Sequence, residues 1–347
     1  MSQVALSPIA VLDRLSHVST QRGVPTLAER LASLDRFVRG DLAAFAQELD
    51  AFPRGTNLIH QAAHHLLDLR GKHLRPLCVA LASRLGGGFT PAARALALAV
   101  ELVHSATLLH DDVVDLAERR RGQPTASVVY GNAASIFAGD WLLIAALRKI
   151  RESGVEGVLD RMLTVIDDMC IAESVQLERR GKIAGAREDY FAIVEGKTAA
   201  LFRWAMVAGA RAADLPASAE SALERYGLHL GVAFQAVDDE LDYREGTGKD
   251  ALADLREGKI TFPLVIALER DPSLQGRLEA LLAHDEVDKD QLAAIAAEVR
   301  ASGALAATRS LAEEHVQRAL AVLEELPAGS AREALVTVAL ASLERMS

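Results

Sequence analysis

Apolar residues recur at intervals of three and four along nearly the whole chain after residue 27. The stretches "LAERLASLDRFVRGDLAAFAQEL" and "AARALALAVELVHSATLLH" show this spacing, which is typical of helices that bury one face. No sustained alternation of apolar and polar residues indicates strands. Breaks rich in Gly and Pro, such as "LGGGFTP" and "ELPAGS", separate the helices without forming a long linker. The pattern predicts an all-α protein with one helical domain over 26–347, preceded by an irregular segment at 1–25.

The composition agrees with close-packed helices, because half of the 347 residues are hydrophobic and only 4% are aromatic. A formal net charge of −10 argues against a nucleic-acid surface, which needs clustered Lys and Arg. Cys78 and Cys170 lack the spacing of a zinc site or a disulfide framework, so both are expected to be buried thiols. The chain begins without a basic signal region and has no run of 18 uncharged apolar residues. We therefore expect a cytoplasmic protein with no integral membrane segment.

A D-D-x-x-D motif in "LLHDDVVDLAERRRGQPTAS" places Asp111 and Asp115 four residues apart. Positions i and i+4 of a helix lie about 40° apart around its axis, so both carboxylates project from one face. An exposed acidic face would tolerate this pair. The preceding apolar stretch "LALAVELVHSATLL" instead favours two carboxylates at the end of a buried helix.

The spacing returns in "FQAVDDELDY", where Asp238 and Asp242 follow Gln235. Two sets of carboxylates facing a common cavity would suit Mg²⁺ that keeps its waters and bridges to a phosphate ligand, although carboxylates alone would also suit Ca²⁺. Guanidinium and ammonium groups bind phosphate oxygens, so acidic and basic residues together predict a diphosphate ligand. The basic candidates are Lys72, Arg75, Arg120, Arg121, Lys197, Lys249 and Lys259, with Arg119 expected to face solvent.

One histidine is a candidate residue of the predicted diphosphate site. His104 precedes Asp111 by seven residues, or nearly two helical turns, and therefore lies on the same stripe. The other histidines considered offer no comparable geometry: His60, His64, His65, His73 and His110.

Several ordered motifs resemble the trans-prenyl diphosphate synthases, or polyprenyl synthetases, over roughly residues 55 to 345, and among them the long-chain octaprenyl-type members. The motifs are "GKHLRP", "ELVHSATLLHDDVVD" with "RRRGQPT", "GNAASIFAGDWLL", "GKTAALF", "FQAVDDELDY" and "GKDALADLREGKITFP". The resemblance implies head-to-tail condensation of isopentenyl diphosphate with an allylic diphosphate, dependent on Mg²⁺. It also implies the isoprenoid synthase fold, a helical bundle with a central cavity between two aspartate-bearing helices, and a homodimer.

The resemblance further implies roles for individual residues. The metal ligands would be Asp111, Asp115, Asp238 and Asp242, and the groups around the allylic diphosphate would be Arg120, Lys197, Thr198, Gln235 and Lys249. Lys197 and Lys249 would act in catalysis with Asp111, Asp115 and Asp238. Isopentenyl diphosphate would be bound by Lys72, Arg75, His104 and Arg121. Two departures from the family pattern are "RGKHL", where many members have a second Gly and an Arg, and a short segment before Lys249.

Product length is predicted from the residues that precede Asp111. In the family, aromatic side chains four or five positions before the first aspartate stop growth at short products, whereas Ala106 and Thr107 stand here, with Val103 a turn further on. We therefore expect an all-trans product of C30 to C50. The segment "GDWLLIAALRKI", with Trp141, is a candidate floor of the pocket and equally an ordinary core helix.

Three other functions are weighed against this one. A short-chain farnesyl or geranylgeranyl diphosphate synthase would need a plug elsewhere in the pocket. A terpene cyclase would not need the second diphosphate site formed by Lys72, Arg75, His104 and Arg121. A non-catalytic partner subunit would be expected to lack the aspartate motifs, and both are complete here.

Overall fold

The structure, a computed structural model, describes residues 25–69, 71–181, 187–244, 252–283 and 288–344. These ranges fold almost entirely into helices, which confirms the predicted all-α class. The first helix begins at Pro25, so nearly all of the segment predicted to be irregular, 1–25, lies outside the described residues. Lys249 lies outside them as well.

The amino-terminal part of the chain carries the first aspartate motif on its fourth helix. Its helices are α1 Pro25–Asp50, α2 Leu58–Leu67, α3 Leu74–Ser83, α4 Pro91–Val114, α5 Ala126–Tyr130, α6 Asn132–Glu152 and α7 Val158–Arg179. Helix α4 begins where Thr90 caps it, because the Thr90 hydroxyl accepts the backbone N–H of Ala93 at 3.2 Å and Pro91 supplies a preset φ.

The carboxyl-terminal part carries the second aspartate motif at the end of a long helix. Its helices are α8 Arg187–Ile193, a π-helix Val194–Ala199, α9 Ala200–Ala212, α10 Ala217–Asp242, α11 Ala253–Arg256, α12 Phe262–Arg270, α13 Ser273–Leu282, α14 Lys289–Ala301, α15 Ala304–Leu323 and α16 Ser330–Leu343.

A short hairpin follows α4 and presents the arginine run. Strand β1 (Arg119–Arg120) pairs antiparallel with β2 (Gln123–Pro124). The two residues between them, Arg121 and Gly122, have φ values of 51° and 78°. Two positive φ values in a two-residue loop are typical of the type I′ turn, whose twist matches that of the flanking strands. The conformation is unfavourable for Arg121, which has a Cβ.

By its internal contacts the chain forms two compact units. The first comprises Met1–Met162, as far as it is described, with Trp204–Glu224 and Glu325–Thr337. The second comprises Leu163–Arg203, Arg225–Glu324 and Val338–Ser347, again as far as described. The single domain over 26–347 therefore stays a prediction.

Helix α4 forms the core of the first unit, where it packs on α3 and α6. It is 24 residues long and apolar enough to cross a membrane by length and composition, but 67% of its most apolar window is buried inside the protein. That burial is typical of a core helix. The second unit has its own core, which is built around α12 and includes Leu264, Val265 and Leu278.

The two cysteines differ in their surroundings. Cys78 is buried in α3, as expected, and burial raises the pKa of its thiol to about 12. Cys170 is exposed on α7, so the prediction that both thiols are buried is wrong for this residue. The apolar neighbour Ile171 is exposed as well, and the apolar pattern of this helix therefore does not mark its buried face.

Candidate active site

The first aspartate motif ends helix α4. Asp111 lies in the last turn and Asp115 caps the helix, and both are half-buried. The backbone N–H of Asp115 still donates to the carbonyl of Asp111 at 2.8 Å, so the helical turn between the two residues is complete. The predicted placement of two carboxylates one turn apart is therefore present in the first unit.

The turn after Asp115 is a Schellman motif, which reverses the chain toward the hairpin. The N–H of Ala117 donates to the carbonyl of Asp112 at 3.0 Å, and that of Leu116 points to Val113 at 3.4 Å. Leu116 has a φ of 52°, at the position where most such motifs place glycine. Its side chain is 80% exposed, so it gains little from packing.

Asp112, the middle residue of the motif, has a role that the sequence analysis missed. Its side chain is 1% exposed and accepts a hydrogen bond from Nε of Arg120 at 2.8 Å. Burial raises the pKa of Asp112, while the charge and hydrogen bond of Arg120 oppose that rise. The pair joins the hairpin to α4 within the first aspartate motif. The sequence signal for this role was the pair of adjacent aspartates at a helix end. Neighbouring side chains of a helix point in different directions and cannot both reach one ligand.

Arg121, in the hairpin turn, lies over the loop that contains Gly71. A Cβ atom on Gly71 would stand 2.8 Å from Nη2 of Arg121, so glycine leaves room for the guanidinium group. Two of the predicted basic residues follow Gly71. Lys72 is exposed, and Arg75 is half-buried at the start of α3. The structure thus brings Arg121 to the "GKHLRP" segment, and the diphosphate site predicted for these residues stays a prediction.

His104, on α4, belongs to the same group of residues. Burial lowers its pKa well below the ordinary value, and Arg75, Arg121 and Arg120 lower it further against the effect of Glu101. The imidazole is therefore neutral near pH 7 and can donate a hydrogen bond without carrying a charge. These shifts place His104 in electrostatic contact with three of the predicted basic residues.

A buried contact between a histidine and a carboxylate was also missed. Nδ1 of His73 lies 2.9 Å from Oε1 of Glu101, and their side chains are 3% and 6% exposed. No role was predicted for His73, and its buried partner is Glu101. Glu101 lies within the quoted "ELVHSATLLHDDVVD", where one charged residue in an apolar helix was the available signal. Its partner is 28 positions earlier, which apolar periodicity cannot reveal.

In the second unit, the first four residues of the "GKTAALF" segment lie in the π-helix Val194–Ala199. Lys197 pairs with Glu173 of α7, which also accepts a hydrogen bond from Gln176 at 3.1 Å. A Cβ on Gly196 would lie 3.0 Å from the carbonyl of Asp168, so glycine allows the π-helix to lie directly on α7. Single π-helical turns are frequent at functional sites.

Thr198 and Gln235 are adjacent, as the shared role predicted for them requires. The Thr198 hydroxyl donates to Oε1 of Gln235 at 2.9 Å, and Nε2 of Gln235 donates to Asp239 at 2.8 Å. Asp239 also accepts the backbone N–H of Phe262 at 3.0 Å and is 2% exposed. Burial raises its pKa to about 8, against the hydrogen bonds from Gln235, Phe262 and Tyr190. Asp239 is thus an internal anchor of the second motif.

The outer aspartates of the second motif are more accessible than Asp239. Asp238 and Asp242 are half-buried near the end of α10, with Asp242 as its last residue. Asp238 and Asp242 are the first and last residues of their D-D-x-x-D sequence, as Asp111 and Asp115 are of theirs. The predicted contribution of Lys249 lies outside the described residues.

The residues predicted to set product length line the body of α4. Val103 and Ala106 are each 1% exposed, and Thr107 is half-buried with its hydroxyl donating to the carbonyl of His104 at 2.8 Å. Trp141, the candidate plug, packs against His60 and Phe52 with ring centroids 4.2 and 5.2 Å away. The contacts of Trp141 are therefore those of a packed aromatic side chain between α6 and α2.

The donor atoms at the two motifs fit a hard divalent cation. Within the described ranges no three His, Cys, Asp or Glu side chains form a group that could enclose a metal ion. Mg²⁺ does not require such an enclosure, because it keeps several waters and binds through one or two carboxylates together with substrate phosphates. Half-buried carboxylates in pairs, with Arg120 bound to the middle aspartate of the first motif, match that mode of binding.

A helical fold with two aspartate motifs, and basic side chains gathered at the first, defines the class of helical enzymes that act on prenyl diphosphates. The polyprenyl synthetase family model matches residues 56–299. The chain therefore belongs to the polyprenyl synthetase family, which confirms the resemblance, and it is a prenyltransferase.

Individual relatives resemble nearly the whole chain. Octaprenyl diphosphate synthase of Escherichia coli (strain K12) is 33% identical and covers 91% of this chain and 99% of its own. A short chain isoprenyl diphosphate synthase of Methanothermobacter thermautotrophicus is 35% identical over 82% of this chain and 90% of its own. The crystal structure of polyprenyl synthase from Caulobacter crescentus CB15, complexed with calcium and isoprenyl diphosphate, is 36% identical with a TM-score of 0.86. It covers 91% of this chain and 98% of its own.

Proposed function

We propose that the protein condenses isopentenyl diphosphate head-to-tail with an allylic prenyl diphosphate and releases an all-trans product of C30 to C50. The observation that carries the proposal is the end of α4, where Asp112, the middle aspartate of the motif that contains Asp111 and Asp115, pairs with Arg120. Arg121 also acts electrostatically on Asp112, and Arg75 and Arg121 act on His104 of the same helix. The small side chains of Ala106 and Thr107 support a long product, and so does the likeness to octaprenyl diphosphate synthase over 91% of the chain.

The basic residues of the first unit would bind and orient the two substrates. Arg120 would contact the allylic diphosphate, and Lys72, Arg75, His104 and Arg121 would bind isopentenyl diphosphate. A fixed frame of cations stabilises the negative charge that develops on the departing pyrophosphate without having to reorganise during the reaction. The resemblance also assigns Lys197, Thr198, Gln235 and Lys249 to the allylic diphosphate.

The reaction breaks the allylic C–O bond and one C–H bond of isopentenyl diphosphate, forms one C–C bond and shifts the double bond of isopentenyl diphosphate. The allylic C–O bond breaks to give a carbocation and pyrophosphate, the double bond of isopentenyl diphosphate attacks the cation, and a proton leaves the adjacent carbon. No protein side chain is assigned as the base, and the released pyrophosphate is proposed to take the proton. Apolar walls such as Val103 and Ala106 would keep water away from the cation until the new C–C bond has formed.

Asp111, Asp115, Asp238 and Asp242 are proposed to hold Mg²⁺, which when bound would neutralise the leaving diphosphate. The Caulobacter relative, which is complexed with calcium and isoprenyl diphosphate, supports a divalent cation in this role. Half-buried carboxylates that leave room for water favour Mg²⁺ over an ion that must be fully enclosed.

We also propose a cytoplasmic location. A homodimer is proposed because one face of α6 exposes apolar side chains. Ile136, Phe137 and Ile144 lie on this face and are 40%, 56% and 50% exposed, and Val128 and Val129 of α5 are exposed as well. Contiguous exposed apolar side chains mark interaction surfaces. A second copy of the chain would bury this α6 face by the two-fold pairing that is commonest among soluble oligomers.

Radiolabelled isopentenyl diphosphate, incubated with the purified protein and Mg²⁺, tests the function. We expect incorporation only when an allylic primer is added, and chromatography should show chains of C30 or more. Cyclic hydrocarbons formed from the primer alone would indicate a terpene cyclase. The absence of any turnover would indicate a partner subunit, and products that end at C20 would indicate a short-chain synthase.

A further inference from the structure

The carboxylate of Glu101 is buried beneath the residues proposed to bind isopentenyl diphosphate. Oε1 of Glu101 lies 2.9 Å from Nδ1 of His73. Arg75 and His104 also interact electrostatically with Glu101, and so does Arg121. One buried anion on α4 therefore faces groups from the "GKHLRP" loop, from α3, from α4 and from the hairpin.

The loop that Glu101 contacts has an unusual backbone. His73 has φ 47° and ψ 40°, in the left-handed region, and its side chain makes no capping hydrogen bond to α3. A residue with a Cβ takes this conformation only when its surroundings hold it there. The surroundings here are the Glu101 carboxylate and the edge of the Phe45 ring, whose centroid is 5.2 Å from that of His73. The contact between Glu101 and His73 therefore lies at the strained residue between Lys72 and Arg75.

The negative charge of Glu101 has a second effect, which is on the neighbouring arginines. Burial lowers the pKa of the Arg121 guanidinium, Glu101 raises it and the charge of Arg120 lowers it, because a buried cation needs a counter-charge nearby. Burial disfavours ionisation of Glu101, yet His73 above all lowers the pKa of this carboxyl to about 2, so it is ionised at neutral pH. An anion fixed below the basic group would keep the guanidinium groups in place before the substrate arrives.

We infer that Glu101 is a positioning residue for isopentenyl diphosphate, which acts through His73 on the Gly71–His73 loop and so on Lys72 and Arg75. The inference rests on the proposed function, because it presumes that these two residues bind the homoallylic diphosphate. A merely structural ion pair would lower stability and leave the balance between the two substrates unchanged. A positioning pair changes the affinity for one substrate.

Steady-state kinetics of Glu101→Gln, His73→Gln and the double variant test the inference. Each single variant should raise the apparent KM for isopentenyl diphosphate about tenfold or more, since the net contribution of a charge-assisted hydrogen bond corresponds to roughly a factor of ten to a hundred. The KM for the allylic primer should change less than about twofold. Because both residues act through one contact, the double variant should be no worse than the worse single variant.

Asp41→Asn is the matched control. Asp41 of α1 is a buried carboxylate that accepts two hydrogen bonds from Arg84, at 2.8 and 2.6 Å, in the same unit. We expect this variant to lower the melting temperature without changing either KM. His73→Gln leaves α4 unaltered and remains informative if Glu101→Gln does not fold.

Arg75→Ala separates failure of the inference from failure of the proposed function. If Arg75→Ala raises the KM for isopentenyl diphosphate and neither Glu101→Gln nor His73→Gln does, Glu101 has no positioning role. If Arg75→Ala itself leaves that KM unchanged, the homoallylic site is misplaced and the inference falls with it. Equal rises in the KM of both substrates in Glu101→Gln would also overturn the positioning role.

Discussion

Arg120 of the hairpin donates through Nε to Oδ1 of Asp112 at 2.8 Å, and this contact links the arginine run to the helix that ends in the first aspartate motif. The three aspartates of that motif therefore divide by environment. Asp111 and Asp115 are half-buried, whereas Asp112 is buried against Arg120. The D-D-x-x-D motif thus combines two outward carboxylates with one that supports the structure.

The first prediction follows from this division. Asp111→Ala, Asp115→Ala and Asp238→Ala should each abolish most Mg²⁺-dependent condensation while leaving the melting temperature nearly unchanged. Asp112→Ala should instead destabilise the protein by about 2 kcal/mol, because it leaves the Arg120 guanidinium without its buried partner. Turnover and circular dichroism on the same samples distinguish the two effects. Wild-type turnover in Asp111→Ala and Asp238→Ala would refute the metal assignment.

A second prediction concerns the turn after Asp115. Leu116 has a positive φ and is 80% exposed, so a glycine there would remove the steric cost of the left-handed conformation, roughly 1–2 kcal/mol, at little cost in packing. After the extra entropy that glycine loses on folding, Leu116→Gly should stabilise the protein by up to about 1 kcal/mol. Leu116→Ala keeps a Cβ and is the control, with no gain expected in urea unfolding. A destabilised glycine variant would contradict this account of the turn.

A third prediction concerns acid stability. The pKa of Glu101 is about 2 in the folded protein against an ordinary value of 4.5, so folding favours the ionised form. The associated stabilisation is fully present above pH 4.5 and is lost as the pH falls through 4.5 toward 2. The free energy of unfolding, measured in urea at pH 7, 5, 4 and 3, should therefore fall more steeply for the wild type than for Glu101→Gln. Parallel curves would show that Glu101 has no depressed pKa.

The helices and the outward carboxylates were predictable because both follow from local periodicity. The apolar stripe of α4 fixes which side is buried, and an i, i+4 spacing fixes that Asp111 and Asp115 share a face. The loops within "GKHLRP" and "RRRG" were predictable for a related reason. Their Gly and Pro residues indicate loops at the ends of helices.

The buried charges were not predictable by the same reasoning. Pairs such as Glu101 with His73 and Lys197 with Glu173 join residues that are far apart in sequence, and periodicity reports burial without naming the partner. The buried Asp239 lies beside a proposed metal ligand, and local spacing does not distinguish an anchor from a ligand. Cys170 lies on the exposed side of α7. The mixed apolar and polar pattern of this helix does not reveal which side is buried.

A fourth prediction tests the proposed dimer. Phe137→Glu and Ile144→Glu place a charge on the exposed α6 face and should convert the dimer to a monomer, because burying an unpaired carboxylate in an apolar interface is costly. Leu116→Glu, an equally large change at an exposed leucine outside this face, should leave the dimer intact. Light scattering at assay concentration measures the outcome. A wild type that is monomeric and fully active at that concentration would refute the dimer.

The last prediction concerns product length and the buried stripe of α4. Eleven residues of helix separate Val100 from Asp111 and span roughly 16 Å, or about three isoprene units at one unit per turn. A tail anchored by its diphosphate at Asp111 would pass Thr107, Ala106 and Val103 on its way down this helix. A C30 or longer tail must therefore continue beyond the helix, and an aromatic ring near its beginning would stop it.

Ala106→Phe should accordingly shorten the product to C15 or C20, because the ring would occupy the path of the tail one turn below the diphosphate. Ala106 is 1% exposed, so a melting curve must accompany the product analysis to show that the variant is folded. Thr107→Ser changes little volume and should leave the product length unchanged. If thin-layer chromatography shows that the wild type makes nothing beyond C20, the pocket is closed elsewhere, and a short-chain synthase becomes the better assignment.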